Sequence, residues 1–427
     1  MPSATSTSRE RITKFTNCRL LKGDELMEQD LWVSSSTGKI VKSQEVFYSH
    51  NSIPDATIDL GGRIVSPGLI DVQLNGSFGF NFSQISEDTH SYGKSLRQMN
   101  RLLVQTGVTS YLPTVTSSEK EVYHLALPHL GPSGAHRLPE EGSESLGAHV
   151  EGPFLNPGKH GIHPLEVLTE AYSFSDLTAM YGSANISNIK KITAAPELGN
   201  MQAIIPEIIS KGVIYSIGHT EATYEDAGAA VANGATMITH LFNAMRPLHH
   251  RNPGVFGVLG IAESLPRPYF GIIADGIHLH PASIKIAYAS HPDGFILVTD
   301  AMHLVGLPDG TYDWTNERRL IKMGSHLVLE GHADKIAGSS ITLIECVSNF
   351  LNWSGEGVGK ALKAVTATPA AMLGLSRDKG SLESDADADL CIISEEVGAD
   401  GQKKLLIDQV WKFGVKLFDR SEQITNE

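Results

Sequence analysis

Thr239-His240-Leu241-Phe242-Asn243-Ala244-Met245 follows a short, largely apolar run, residues 235–238, and sets a histidine just beyond its end. The arrangement recurs upstream, where residues 213–217 lead into Gly218-His219-Thr220. It recurs downstream, where residues 295–298 lead into Thr299-Asp300-Ala301, and again where residues 146–150 lead into Glu151. Short apolar runs bounded by turn signals read as buried strands. In a parallel (β/α)8 barrel the C-terminal strand ends form the catalytic face, and chemically active side chains from several strands converge there. A single histidine so placed would be an ordinary partly buried residue. Four coincidences at strand ends describe a site.

Working outward, eight segments read as strands: residues 64–72, 108–115, 146–150, 189–194, 213–217, 237–240, 269–274 and 295–299. Amphipathic stretches at 88–105, 119–129, 201–211 and 222–233 fall between them, and this alternation favours a parallel sheet. Helices over 343–353 and 360–373 would complete the ring. A hairpin-like insert is expected at 309–330, and the Pro, Gly, Ser and Glu-rich 131–145 reads as a surface loop. Residues 15–60 and the segments around 380–382, 388–393 and 410–415 instead alternate apolar and polar positions between turn signals, as short antiparallel strands do. The expected architecture is therefore α/β: a TIM-like (β/α)8 barrel over 63–377, with a small β-sandwich domain built from both chain ends, 13–62 and 378–420. Residues 1–12 are expected to be a disordered tail.

A chain of 427 residues with 41% hydrophobic positions can bury one barrel core and one smaller unit. Lys and Arg number 34 against 48 Asp and Glu, a formal charge of −14, which argues against a nucleic-acid or anionic-membrane surface. An anionic substrate would need a locally basic pocket. The three cysteines, Cys18, Cys346 and Cys391, are odd in number and far apart, the pattern of a reducing compartment. No apolar targeting core or membrane-length run is visible, so the expected location is the cytoplasm.

Glu151, His219 and His240 offer the carboxylate and imidazole donors that a catalytic Zn²⁺ or similar ion takes, with room left for water. A bound ion of this kind acidifies water and polarises a carbonyl, which suits hydrolysis of an amide or ester. Asp300 sits where a general base belongs, although a strand-end Asp can equally cap the following turn. Asp71 and Asp275 also end strands. Asp300 is preferred because it closes the last strand, whereas Asp275 leads into a Gly276-Ile277-His278 turn. The loop after His240 carries Arg246, His249, His250 and Arg251, a basic cluster beside a metal ligand in an acidic chain. It reads either as a solvated loop or as an anion site, to which the backbone amides of Asn243 and Ala244 could contribute.

Together with Pro67-Gly68-Leu69-Ile70-Asp71-Val72-Gln73-Leu74-Asn75-Gly76 and His149-Val150-Glu151-Gly152-Pro153-Phe154, these motifs resemble the N-acetylglucosamine-6-phosphate deacetylases of the amidohydrolase superfamily over nearly the whole chain. Most amidohydrolases carry His-x-His after the first strand. Here the positions read Gln73-Leu74-Asn75, and amides are poor zinc ligands. The resemblance therefore implies one divalent ion at Glu151, His219 and His240, most simply Zn²⁺, with Co²⁺, Fe²⁺ or Mn²⁺ as alternatives. It further implies Asp300 as the catalytic carboxylate, His163 as the group polarising the acetyl carbonyl, and Asn243, Ala244, Arg251 and His278 as substrate and phosphate contacts. The implied partners are a phosphorylated amino sugar and a second copy of the chain, with Arg251 reaching across a homodimer. Two other readings stand beside this one. A cyclic-amide hydrolase would usually show His-x-His and a bridging lysine, and a non-catalytic relative would have lost one of Glu151, His219, His240 or Asp300.

Overall fold

The structure, a computed structural model, describes residues 11–43, 53–85, 89–261, 265–313 and 319–424. The barrel strands are β1 (Leu69–Leu74), β2 (Val108–Thr116), β3 (Ala148–Glu151), β4 (Ile189–Ala194), β5 (Ile214–Ile217), β6 (Met237–Ile238), β7 (Tyr269–Ile273) and β8 (Phe295–Val298). Each pairs in parallel with the next. The ring closes where Leu74 bridges Ala301 and the Asp300 amide donates to the Gln73 carbonyl at 3.0 Å. Helices cover the outside with one apolar stripe each. Lys120–Leu130, for example, buries Tyr123, Ala126, Leu127 and Leu130, the spacing of one helical face.

The strand expected over 64–72 is two strands. Ile64–Pro67 pairs antiparallel with Leu390–Val397 and parallel with Arg19–Lys22, while β1 begins at Leu69. Gly68 is the crossing point. A Cβ there would stand 2.1 Å from the Thr109 hydroxyl oxygen, so only glycine fits between the two sheets. The helix expected over 360–373 is also broken, into Val358–Lys363 and Ala367–Met372. Pro369 cannot continue a helix past the Val365 carbonyl, which instead accepts from the Ile70 amide at 2.9 Å. The insert is larger than a hairpin: four antiparallel strands, Gly310–Asp313, Arg319–Met323, His326–Leu329 and His332–Ser339. Of the tail expected over 1–12, residues 1–10 lie outside the described residues, and Ile12 opens the strand Ile12–Thr16.

Both chain ends meet beside the barrel. Ile12–Thr16, Leu31–Ser34, Lys39–Ile40 and Ala56–Asp59 form one sheet; Arg19–Lys22, Glu25–Glu28, Ile64–Pro67, Leu390–Val397, Lys403–Lys412 and Val415–Asp419 form another. Phe15, Leu20, Val33, Val65, Leu390, Ile392 and Trp411 share the core between them.

Where these sheets meet the N-terminal end of the barrel, charges are buried. Lys412 Nζ lies 2.6 Å from Glu144 Oε1 and 2.7 Å from Asp389 Oδ2. Lys379 Nζ also contacts Glu144, and lies 2.7 Å from Asp389 and 2.8 Å from Asp387. Burial by itself would raise the Asp389 carboxyl, but the two ammonium groups outweigh it and hold the group well below the carboxylate range. Removing one partner leaves an uncompensated buried charge. Asp389→Ala is expected to destabilise the fold by about 3–5 kcal/mol in denaturant melts at neutral pH. A change under about 0.5 kcal/mol, the range of an ordinary surface substitution, would contradict this network. Because the folded value is depressed, the contribution is present above the unfolded carboxyl pKa of ~4 and is lost as pH falls below it.

Candidate active site

Glu151 ends β3, and His219, His240 and Asp300 each stand two residues beyond β5, β6 and β8. All three of the latter have left-handed backbones, with φ of 49°, 26° and 46°. Such conformations cost non-glycine residues about 1–3 kcal/mol each and persist where the surroundings hold them. Here the ladders hold them, through Thr239 N to Ile217 O at 2.9 Å, Leu241 N to Gly271 O at 2.8 Å and Asp300 N to Gln73 O. The turns swing the side chains over the barrel mouth.

His240 Nε2 lies 3.0 Å from Glu151 Oε1 and 3.1 Å from His219 Nε2, and His219 Nε2 lies 3.4 Å from the same carboxylate oxygen. Four ligands held tetrahedrally at ~2.1 Å from an ion stand about 3.4 Å apart, so this triangle is of the right size. The His219 Nδ1–H donates to the Lys159 carbonyl at 2.7 Å, which fixes the tautomer and leaves Nε2 with its lone pair facing the other two atoms. Burial alone would raise the Glu151 carboxyl. The imidazoles of His219 and His240 beside it outweigh that and hold it well below the usual range. The donor set fits a divalent cation.

Gln73 and Asn75 have a use other than ligation. Gln73 Nε2 donates to Glu151 Oε1 and Asp300 Oδ1, both at 3.1 Å, and Asn75 Nδ2 donates to Asp300 Oδ1 at 2.8 Å. Two amides thus fix the Asp300 carboxylate beside the triangle. Burial, followed by the nearby Glu151 charge, raises the Asp300 pKa, as suits a proton acceptor. Asp71 lies deeper and accepts from Thr299 Oγ1 at 2.6 Å. Burial pushes it up to about 7.

His163 is brought to the same mouth, its ring 4.5 Å from that of His219. The Ser117 backbone amide donates to His163 Nδ1 at 3.2 Å, so the ring proton sits on Nε2. Burial, then the neighbouring His219, lowers its pKa to about 3. His163 is therefore a neutral hydrogen-bond donor.

The residues expected on the anion side are only partly gathered. His278 Nδ1 lies 2.6 Å from Asp275 Oδ2, so Asp275 orients this imidazole and leaves Nε2 free. Asn243 Nδ2 reaches the His278 carbonyl at 3.5 Å, and Asn243 Oδ1 is buried with no partner among the described residues. The expected contribution of the Asn243 backbone amide is corrected, because that group already donates to the His240 carbonyl at 3.0 Å. Ala244 adopts φ 50°. Of the basic cluster, Arg246 is engaged by Glu221, whereas Arg251 is exposed at the loop tip with no ion pair among the described residues. Sequence reasoning missed Ser117, Lys159 and Lys191, whose contributions depend on where backbone and neighbouring strands fall. Glu144, Asp387 and Asp389 also cluster closely enough to hold an ion, but Lys379 and Lys412 fill that group with positive charge.

Residues 64–414 match the amidohydrolase family. The chain belongs to that family. Among amidohydrolases with known roles, the N-acetylglucosamine-6-phosphate deacetylase of Danio rerio is 40% identical over 422 residues, covering 96% of this chain and 100% of the relative. The crystal structure of N-acetylglucosamine-6-phosphate deacetylase from Pasteurella multocida superposes with a TM-score of 0.79 at 28% identity, covering 95% and 99% of the two chains. A Mycobacterium smegmatis deacetylase, solved as a mutant in complex with N-acetyl-D-glucosamine-6-phosphate, gives a TM-score of 0.76 at 25% identity, covering 96% and 100%. The (β/α)8 barrel expected from the strand pattern is thus present, and the likeness to these deacetylases extends over nearly the whole chain.

Proposed function

We propose that this amidohydrolase cleaves the acetamido group of N-acetyl-D-glucosamine 6-phosphate, giving D-glucosamine 6-phosphate and acetate. The observation that carries the chemistry is the convergence of Glu151, His219 and His240 on one point, with Asp300 held beside them by Gln73 and Asn75. The names of the relatives supply the substrate. Glu151, His219 and His240 would hold one divalent ion, most simply Zn²⁺, with Co²⁺, Fe²⁺ or Mn²⁺ able to take the same donors. When bound, the ion polarises the acetyl carbonyl and acidifies the attacking water.

Asp300 accepts a proton from that water and delivers it to the departing amine as the carbon–nitrogen bond breaks. The His163 Nε2–H donates to the oxygen on which negative charge develops, and its neutral ring keeps that donor in place across the working pH range. Asn243, Ala244 and His278 are proposed as contacts to the sugar and its phosphate, a reading supported by the His278 imidazole, whose Nδ1 is held by Asp275 so that Nε2 is left for a ligand. Arg251 is proposed to grip the phosphate across a homodimer, a reading supported by its exposure at a loop tip. Three buried, unpaired cysteines suit a cytosolic enzyme.

The test is release of free amine by metal-replete protein from N-acetylglucosamine 6-phosphate, run beside the unphosphorylated sugar. Release from the phosphorylated sugar alone is expected. Equal release from both would discard the anion pocket, and release from neither would discard the substrate. Arg251→Ala is expected to raise the KM for the phosphorylated sugar by about 10-fold or more, since charge-assisted bonds of this kind contribute about 1.5–3 kcal/mol. kcat should change little, and an unaltered KM would remove Arg251 from the site.

A further inference from the structure

Lys191 carries a charge that the proposed reaction does not use. It lies on β4 with none of its surface exposed, and its Nζ donates to the Val72 carbonyl on β1 at 2.7 Å. To make that bond the side chain crosses the barrel interior from one strand to a distant one. Val72 lies between Asp71 and Gln73, and Gln73 touches both Glu151 and Asp300. On the adjacent strand, the register partner of Lys191 is His149, two residues before Glu151. The ammonium group therefore sits one layer beneath the three converging ligands, among Asp71, Glu151 and Asp300. Burial draws its pKa down to about 8, with the charges of Glu151, Asp71 and Asp300 opposing the shift. A buried ammonium hydrogen-bonded to a neutral carbonyl is expensive to keep.

We propose that Lys191 is a positioning residue for the metal centre: its fixed positive charge stands in for a second cation, so the site holds one divalent ion. This rests on the metal reading above. One divalent ion and one ammonium group already match the most negative charge that Asp71, Glu151 and Asp300 can carry together, whereas a second ion would leave an excess of positive charge in a medium that screens poorly. The Gln73 and Asn75 amides agree with this, since they occupy Asp300 as donors. The geometry thus assigns the single-ion preference to two features: weak ligands at the mouth and a resident charge beneath it.

The experiment is titration of the metal-free protein with Co²⁺, read by equilibrium dialysis and by the visible spectrum of the bound ion. Wild type is compared with Lys191→Met and with the double variant Lys191→Met/Asp71→Asn. Wild type should bind one ion. Lys191→Met should bind the first about tenfold more tightly, having lost a like charge, and should take up a second. The double variant removes the ammonium and the Asp71 carboxyl together and should move back toward wild-type affinity and stoichiometry, a rescue that a packing role would not produce. Wild-type binding in Lys191→Met would overturn the inference while leaving the metal reading intact. Failure of wild type to bind any ion would overturn both. Should Lys191→Met not fold, the double variant alone decides, since any stoichiometry other than one would contradict the charge balance.

Discussion

Asp300→Asn is expected to lower turnover by about 10²–10⁴-fold while the protein retains its divalent ion. The residue is not one of the three converging ligand atoms, so its loss of charge does not remove a ligand. The amides of Asn75, at 2.8 Å, and Gln73, at 3.1 Å, can still donate to an asparagine oxygen in the same rotamer, so the mouth keeps its shape. What is lost is the ability to accept a proton. Steady-state kinetics alongside metal analysis separates the possibilities: unchanged turnover would remove Asp300 from the mechanism, and loss of the ion with the activity would make it a ligand instead of a base.

Glu151→Gln should act through the opposite route. The carboxylate oxygen lies within 3.4 Å of both imidazole Nε2 atoms, and an amide in its place offers a neutral, weaker donor. Metal affinity is expected to fall by more than about 100-fold, beyond what disturbing an outer partner of a ligand produces. Activity at limiting metal should fall in proportion and recover in part with excess ion. A variant that kept full affinity would show that Glu151 does not hold the ion.

Much of this was legible because a barrel writes its catalytic face into the sequence as polar residues terminating apolar runs. Glu151, His219, His240 and Asp300 each showed that signature, and the structure brings them together at one mouth. Less legible was anything decided by a neighbour. The run 64–72 reads as one strand despite Ser66 and Pro67-Gly68, and it is the collision with Thr109 that makes Gly68 the passage between sheets. Lys191 lies in the expected strand 189–194 with nothing in the sequence to give it a role, yet strand alternation turns it into the barrel. Gln73 and Asn75 were readable as missing ligands, but their work as donors to Asp300 depends on β1 and β8 closing the ring. The Asn243 amide looked available to an anion because its hydrogen bond to the His240 carbonyl is a property of the turn.

The crossing at Gly68 has a mechanical meaning. One uninterrupted stretch of backbone, Ile64–Pro67 followed by Leu69–Leu74, is stitched at one end into a sheet made from both chain termini and at the other carries Asp71, Gln73 and Asn75. Gly68 itself is pinned to the Asp389 carbonyl at 2.8 Å, next to the buried lysines. The terminal sheets are thus the anchorage of the first stave of the barrel. Loosening them would slacken the hold on Asp300 from behind, and an enzyme trimmed at either terminus should lose catalytic alignment before it loses its ion.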